Sequence, residues 1–271
     1  MIGASRASFV EARERLEAVL SAGDAAVFGD ELFAVVHLLD REHVLRRALS
    51  DPAQPADQRA GLASAVLDGR VSPAVRDFVA EVARVRWARS TKLADALDEL
   101  AVTAIAAGAE AQTRIDDVED ELFRFGRIVE GQPELRGALV DRRVPAQRKV
   151  ELLTTLLQGK VTAATLRLVI EAVAHPRGRS LERALDTYGR IVAERRNRLV
   201  AVVRTAVELD DAQKTRLTAA LAAQYGRDVH LNIEVDPSVM GGISVQIGDE
   251  EIDGTIARRL EEVRRRIERA S

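Results

Sequence analysis

Apolar residues recur along most of this chain with a period near 3.6, and only towards its C-terminal end does the period fall to 2. From Ser5 to Leu20, residues Phe9, Ala12, Leu16, Val19 and Leu20 share one stripe, which predicts an amphipathic helix ending before Ser21-Ala22-Gly23-Asp24. Shorter helices follow. Leu32, Val35, Val36 and Leu39 mark one; Val44, Leu45 and Leu49 a second; Leu62, Val66 and Leu67 a third; Val75, Phe78, Val79 and Val82 a fourth. Breaks fall at Pro52 to Pro55, at Gly69 and near Ser90, where a fixed φ, a missing donor or a permissive backbone interrupts the helix. From Leu93 the pattern resumes through Leu97, Leu100 and Ile105 to about Gly108, and Ile115 and Val118 extend it.

The pattern then repeats. A shift of 90 residues aligns Glu31-Leu32-Phe33 with Glu121-Leu122-Phe123, Leu45-Arg46 with Leu135-Arg136, Asp51 with Asp141 and Pro55-Ala56 with Pro145-Ala146. It continues without a gap through Gly69 and Gly159, Val79 and Val169, to Arg89-Ser90 and Arg179-Ser180. About a third of sixty positions are identical, which identifies a tandem duplication. The segment near 95–110 stands before Glu121 as the first helix stands before Glu31, so it serves as last helix of copy one and first of copy two. A helix from Leu181 to about Arg195 closes copy two.

Beyond Asn197 the reading changes. Leu199 to Val207 is Val-rich and alternates, a strand. Asp210 and Gln213 have capping-box spacing for a helix that turns Leu217 and Leu221 inward and stops at Gly226. Val229, Leu231, Ile233 and Val235 alternate as a second strand. Asp236, Pro237, Gly241 and Gly242 break it, and Ile243, Val245 and Ile247 form a third strand closed by Gly248-Asp249. Ile256, Leu260, Val263 and Ile267 return to helical spacing, with Asp253 as the cap. The expected architecture is mainly α with a small α/β C-terminal domain. Tandem helical bundles at 1–110 and 111–196 precede a β-α-β-β-α unit at 197–271.

The order strand, Asp236-Pro237-Ser238-Val239-Met240-Gly241-Gly242-Ile243, strand, Gly248-Asp249, Ile252-Asp253-Gly254-Thr255, then a helix through Leu260 resembles the C-terminal signature of the F-type ATP synthase δ subunit, the family of the oligomycin-sensitivity-conferring protein. The N-terminal Ser5-Arg6-Ala7-Ser8-Phe9 matches that family's opening helix only loosely, and the second helical copy is an addition to its usual single bundle. The resemblance implies a non-catalytic stator subunit of the peripheral stalk. Its helical bundle would bind the N-terminal helices of α subunits on the catalytic head, and its C-terminal domain the b subunit of the stalk. It would lie peripherally on the cytoplasmic side of the cell membrane, held there only through the complex. In related bundles the groove lies between the first and fifth helices, which points to Phe9, Ala12, Leu16, Phe78 and Val82 in copy one, and to Leu168, Val169 and Ala172 in copy two.

Composition narrows the alternatives. The chain has 271 residues, enough for about two domains. Aromatics are only 3%, so its cores are built from Ala, Leu, Val and Ile, which suits closely packed helices. A net charge of −3 with 31% charged residues describes mixed helix surfaces rather than a nucleic-acid patch. Only four of the forty basic residues are Lys. The absence of Cys excludes disulfides, thiolate metal sites and a Cys nucleophile. No uncharged apolar run approaches the roughly 18–20 residues that span a bilayer.

Candidate chemistry is sparse. Gly241-Gly242 belongs to no phosphate-binding motif and is expected to serve a turn. His37, His43, His175 and His230 are scattered, with no metal-ligand spacing, so no metal, cofactor or catalytic residue is assigned. Asp249, Glu250, Glu251 and Asp253 read as a solvated hairpin end. The terminal helix is Arg-rich, but Glu261 and Glu262 stand four residues before Arg265 and Arg266, in the order that favours intrahelical pairs. The alternative to a stator is a free-standing helical adaptor or nucleic-acid-binding protein.

Overall fold

The computed structural model describes residues 3–20, 23–197, 199–227, 229–237, 239, 241–247 and 250–253. The chain divides into two compact units, Met1–Arg196 and Asn197–Ser271.

Among the described residues the first unit contains helices and no strand. Helix α1 (Gly3–Leu20) is followed by α2 (Ala25–Arg41), α3 (His43–Ser50), α4 (Ala56–Leu67), α5 (Pro73–Arg84) and α6 (Ser90–Ala111). Copy two supplies α7 (Ile115–Gly131), α8 (Pro133–Val140), α9 (Ala146–Leu157), α10 (Ala163–Ala174) and α11 (Leu181–Arg196). From α2/α7 to α5/α10 every boundary is displaced by 90 residues, as the repeat requires. The local devices repeat too. Asp51 and Asp141 each accept from a backbone N–H two residues on at 2.9 Å, and Gly69 and Gly159 both take positive φ after their helices. The caps of α5 and α10, Ser72 and Thr162, each donate through N–H and hydroxyl to Glu31 and Glu121 respectively, locking helix two of each copy to helix five.

The two copies do not build two cores. One continuous apolar cluster runs from Leu16 and Phe33 through Leu97 and Leu100 to Leu168 and Tyr188, and α6 is its axis. Fifteen of the 22 residues of α6 are buried, because it packs against helices of both copies. A helix apolar on all sides is stable only when surrounded, and its alanines let neighbours approach closely. The helical pattern does not continue from α6 into copy two, as Ile115 and Val118 suggest in the sequence. Gln112–Arg114 intervene, with Thr113 at φ 56°. Val44, one of the apolar residues that mark this helix in the sequence, is 81% exposed; α3 buries Leu49 and Ser50.

The second unit contains β1 (Leu199–Thr205), α12 (Asp211–Tyr225), β2 (Val229–Val235), β3 (Ile243–Ile247) and β4 (Glu250–Asp253). Its sheet has the order β2-β1-β3-β4, with β2 parallel to β1 and the other pairs antiparallel. Helix α12 opens on the Asp210–Gln213 capping box and ends at left-handed Gly226. After β2, Gly241 and Gly242 both take positive φ, and Asp236 N–H donates to Thr205 O as the chain crosses the end of β1. Ala201, Val203, Leu221, Val245 and Ile247 form the core, with Leu231, Ile233 and Ile243 packed against it. The described part of this unit adds a fourth strand to the expected β-α-β-β order, and the terminal helix expected through Ile256, Leu260, Val263 and Ile267 lies outside the described residues. Asp253, expected as a helix cap, lies in β4 opposite Ser244, because half-buried Ile252 pairs with Val245 and draws the segment onto the sheet.

Candidate partner-binding site

Between α1 and α5, floored by the start of α2, lies a groove of about 700 Å³. Val19, Leu20, Val27, Phe28, Ala74 and Phe78 supply its apolar surface, and Phe28 meets Phe78 edge to face at 5.5 Å. Val27 is 53% exposed and joins these neighbours in one contiguous apolar patch. Asp24, Asp77, Glu81 and Arg15 rim the opening, and Arg15 Nη1 donates to Glu81 Oε2 at 2.6 Å, tying α1 to α5. The Arg76 guanidinium beside Asp77 holds that carboxyl below its usual range.

The corresponding groove of copy two lies between α6 and α10, and it is occupied. Helix α2 of copy one lies in it, presenting Ala26, Asp30, Phe33 and His37, one helical stripe. An added Cβ on Gly108 would stand 3.0 Å from the Ala26 Cβ, and one on Gly29 would stand 2.8 Å from Ile105 Cδ1, so both glycines are needed for this close approach. Arg167 pairs with Asp30, and its guanidinium sits 4.5 Å from the Phe33 ring centroid. His37 Nε2 is 2.7 Å from Glu171 Oε1, while Arg167 Nη1 donates to Glu171 Oε2 at 2.9 Å. Arg167 and Glu171 are the counterparts of Asp77 and Glu81 on the open groove.

Comparison with known proteins decides what this framework is. The family model of the ATP synthase delta (OSCP) subunit matches residues 101–267. The chain belongs to that family. The match begins inside α6, so in this delta-family chain it spans most of copy two and of the C-terminal unit, and leaves α1–α5 outside. ATP synthase subunit delta of Thermobifida fusca is 51% identical over 98% of this chain and 99% of its own length. The subunit of the same name from Streptomyces griseus subsp. griseus is 52% identical over 98% and 99%. Among solved structures, a chain of the Toxoplasma gondii mitochondrial ATP synthase hexamer is 18% identical, covering 61% of this chain and 94% of its own, at a TM-score of 0.30. As a delta-family subunit the chain is part of a membrane-associated complex. No described helix is long and apolar enough to cross a membrane.

Of the residues read from the sequence as partner-binding, Phe78 lines the open groove. Ala12, Leu16 and Val82 are fully buried, since they fall on the inner stripes where α1 and α5 meet the core, and Phe9 is half-buried against it. Leu168, Val169 and Ala172 are core residues of copy two. The groove is made by Val19 and Leu20, at the end of the α1 stripe, with Val27 and Ala74, which stand outside the apolar positions that mark their helices, and that surplus of apolar residues is the sequence signal that would have found them. Of the signature residues, Asp236, Gly241 and Gly242 form the crossing after β2 and Asp253 lies in β4; Gly248, Gly254 and Leu260 lie outside the described residues.

The histidines are not all scattered. The His37 and His175 rings stack with centroids 3.6 Å apart, and with Glu171 they place three donor atoms within 4.8 Å of one another, the arrangement among the described residues that could hold a metal. Both Glu171 oxygens are already engaged, by His37 and Arg167, so the cluster serves as a polar latch between α2 and α10. Burial alone would push the Glu171 carboxyl up, but the hydrogen bonds and charges of His37 and Arg167 outweigh it and leave it below the usual range. Burial pushes His175 down, opposed by the Glu171 charge. A second latch joins α6 to the loop that precedes α11. Asp98 is fully buried with Arg179 at 2.9 Å and Arg177 at 3.7 Å, and burial raises its pKa against those two cations.

Proposed function

We propose that the open α1/α5 groove of copy one receives the N-terminal helix of an α subunit at the catalytic head, while the C-terminal unit grips the end of the b subunit. Held at both points, the chain stops the head turning with the rotor during proton-driven ATP synthesis. It does so from the cytoplasmic side and performs no catalysis. One observation carries the assignment to copy one: of two equivalent grooves, copy two's already holds α2, and copy one's lies open. An apolar groove of this width accepts one face of an amphipathic helix. Each grip can be modest, because two-point attachment raises the effective concentration of the second contact.

Calorimetry with an α-subunit N-terminal peptide tests this. The full chain is expected to bind one peptide, with affinity little changed between two ionic strengths, since apolar burial dominates. Val27→Glu, which places a charge on an already exposed groove position, should abolish binding without unfolding the chain. Unimpaired binding by that variant would place the site elsewhere.

A further inference from the structure

Copy one and copy two carry the same tetrapeptide, Asp-Glu-Leu-Phe, at 30–33 and 120–123. Its inner residues do the same work in both. Glu31 and Glu121 accept from the caps of helix five, and Leu32 and Leu122 are buried. Its outer residues differ in fate. Asp30 and Phe33 dock on Arg167 of copy two, and Phe33 is fully buried. Asp120 and Phe123 face outward, with Phe123 70% exposed. Beside them a hollow of about 390 Å³ runs between α7 and α11, walled by Phe123, Gly126, Leu185 and Gly189. Its rim is acidic where it is unpaired. Glu119 is engaged by Arg196 and Glu130 by Arg127, whereas Asp120 and Asp186 have no ion-pair partner among the described residues.

We propose that this face is a second docking surface, for a helix of another subunit of the complex that presents an arginine to Asp120 and Phe123. The docking of α2 shows the chemistry on the same four residues: a guanidinium that pairs with the Asp and lies over the Phe, on a helix carrying a glutamate one turn later, as Arg167 and Glu171 do. A second copy of this chain does not fit. Head-to-tail stacking of chains would place the open groove of one against this face of the next, and there the position of Arg167 is held by Asp77, which would oppose Asp120. Like charges at that point stop the array after two copies. Gly126 and Gly189 leave room for a close helix, as Gly29 and Gly108 do inside the chain.

The proposal rests on membership of the complex and is independent of the α-peptide assignment. Hydroxyl-radical footprinting of the native chain, free and in the assembled synthase, separates the two. Phe123 oxidation should fall on assembly to the level of fully buried Phe33 in the same chain. Protection of Val27 with Phe123 unchanged overturns this proposal and leaves the groove reading standing; the converse does the opposite. With p-benzoylphenylalanine at position 123 of the assembled complex, the crosslink should map to a helix of another subunit with an Arg within one turn. A crosslink to a second copy of this chain, to the chain itself, or to a helix without a cation there overturns it.

Discussion

Phe33 and Phe123 occupy the same repeat position in the same tetrapeptide, so truncating each in turn isolates what tertiary packing adds to one side chain. Phe33 is fully buried between α2 and α10. Its transfer to water accounts for about 1.5–3 kcal/mol, and the cavity left in a core that closes only partly brings Phe33→Ala to about 3–5 kcal/mol. Loss of the Arg167 contact falls within that figure. Phe123 is 70% exposed, so Phe123→Ala should stay within about 0.5 kcal/mol of the parent. For a unit of this size, about 2–4 °C of Tm per kcal/mol puts the Phe33 variant roughly 6–20 °C lower. The chain has one tryptophan, Trp87, buried in the helical unit with Nε1 donating to Val82 O at 3.0 Å. Its fluorescence through a urea titration therefore reports that unit and not the C-terminal one. Equal losses in the two variants would refute the docking of α2 into copy two.

Three further outcomes are expected. Arg59, buried in copy one, donates to Ala83 O at 2.8 Å, Arg84 O at 2.6 Å and Gln54 O at 2.6 Å; Arg59→Met should cost about 1–3 kcal/mol for each acceptor left without a partner, and a variant as stable as the parent in urea would show these carbonyls satisfied otherwise. Burial lowers the folded-state pKa of His175, so the unfolded chain binds more protons below pH 6.5, and the stability held above that pH declines as pH falls towards the lowered value; Glu171, also lowered, adds a loss of the same sign below about 4.5. Denaturation midpoints at pH 7.5 and 5.5 should diverge in the parent and converge in His175→Phe, and an unchanged gap would remove His175 from the account. Gly61, in mid-helix with nothing near its Cβ position, should be stabilised by Ala by about 0.5–1 kcal/mol, whereas Gly108→Val should cost about 1–3 kcal/mol; thermal melts giving the same sign for both would contradict the close approach of α2 to α6.

Much of the architecture is local and so was legible in the residues. Helix ends follow from Asp24, Ser72, Thr162 and the Asp210–Gln213 box, from Gly69, Gly159 and Gly226, and from prolines at 55, 73 and 145. Strands follow from alternation, and the duplication follows from identity at a fixed shift. These depend on dihedral preference and on near neighbours along the chain, which sequence order specifies directly. The tertiary structure alone decided what each apolar stripe is buried against. Leu16 and Val27 are both apolar residues of first-copy helices, yet one is core and the other groove. Phe33 and Phe123 share a repeat position, yet one is sealed under Arg167 and the other faces solvent. His37 and His175, far apart in sequence, stack because α2 enters the groove of copy two, and Ile252 draws Asp253 into a strand because Val245 lies opposite. Periodicity reports that a face prefers to leave water; whether that face meets its own core, the neighbouring repeat or another subunit is set by long-range packing, to which the local pattern carries no address.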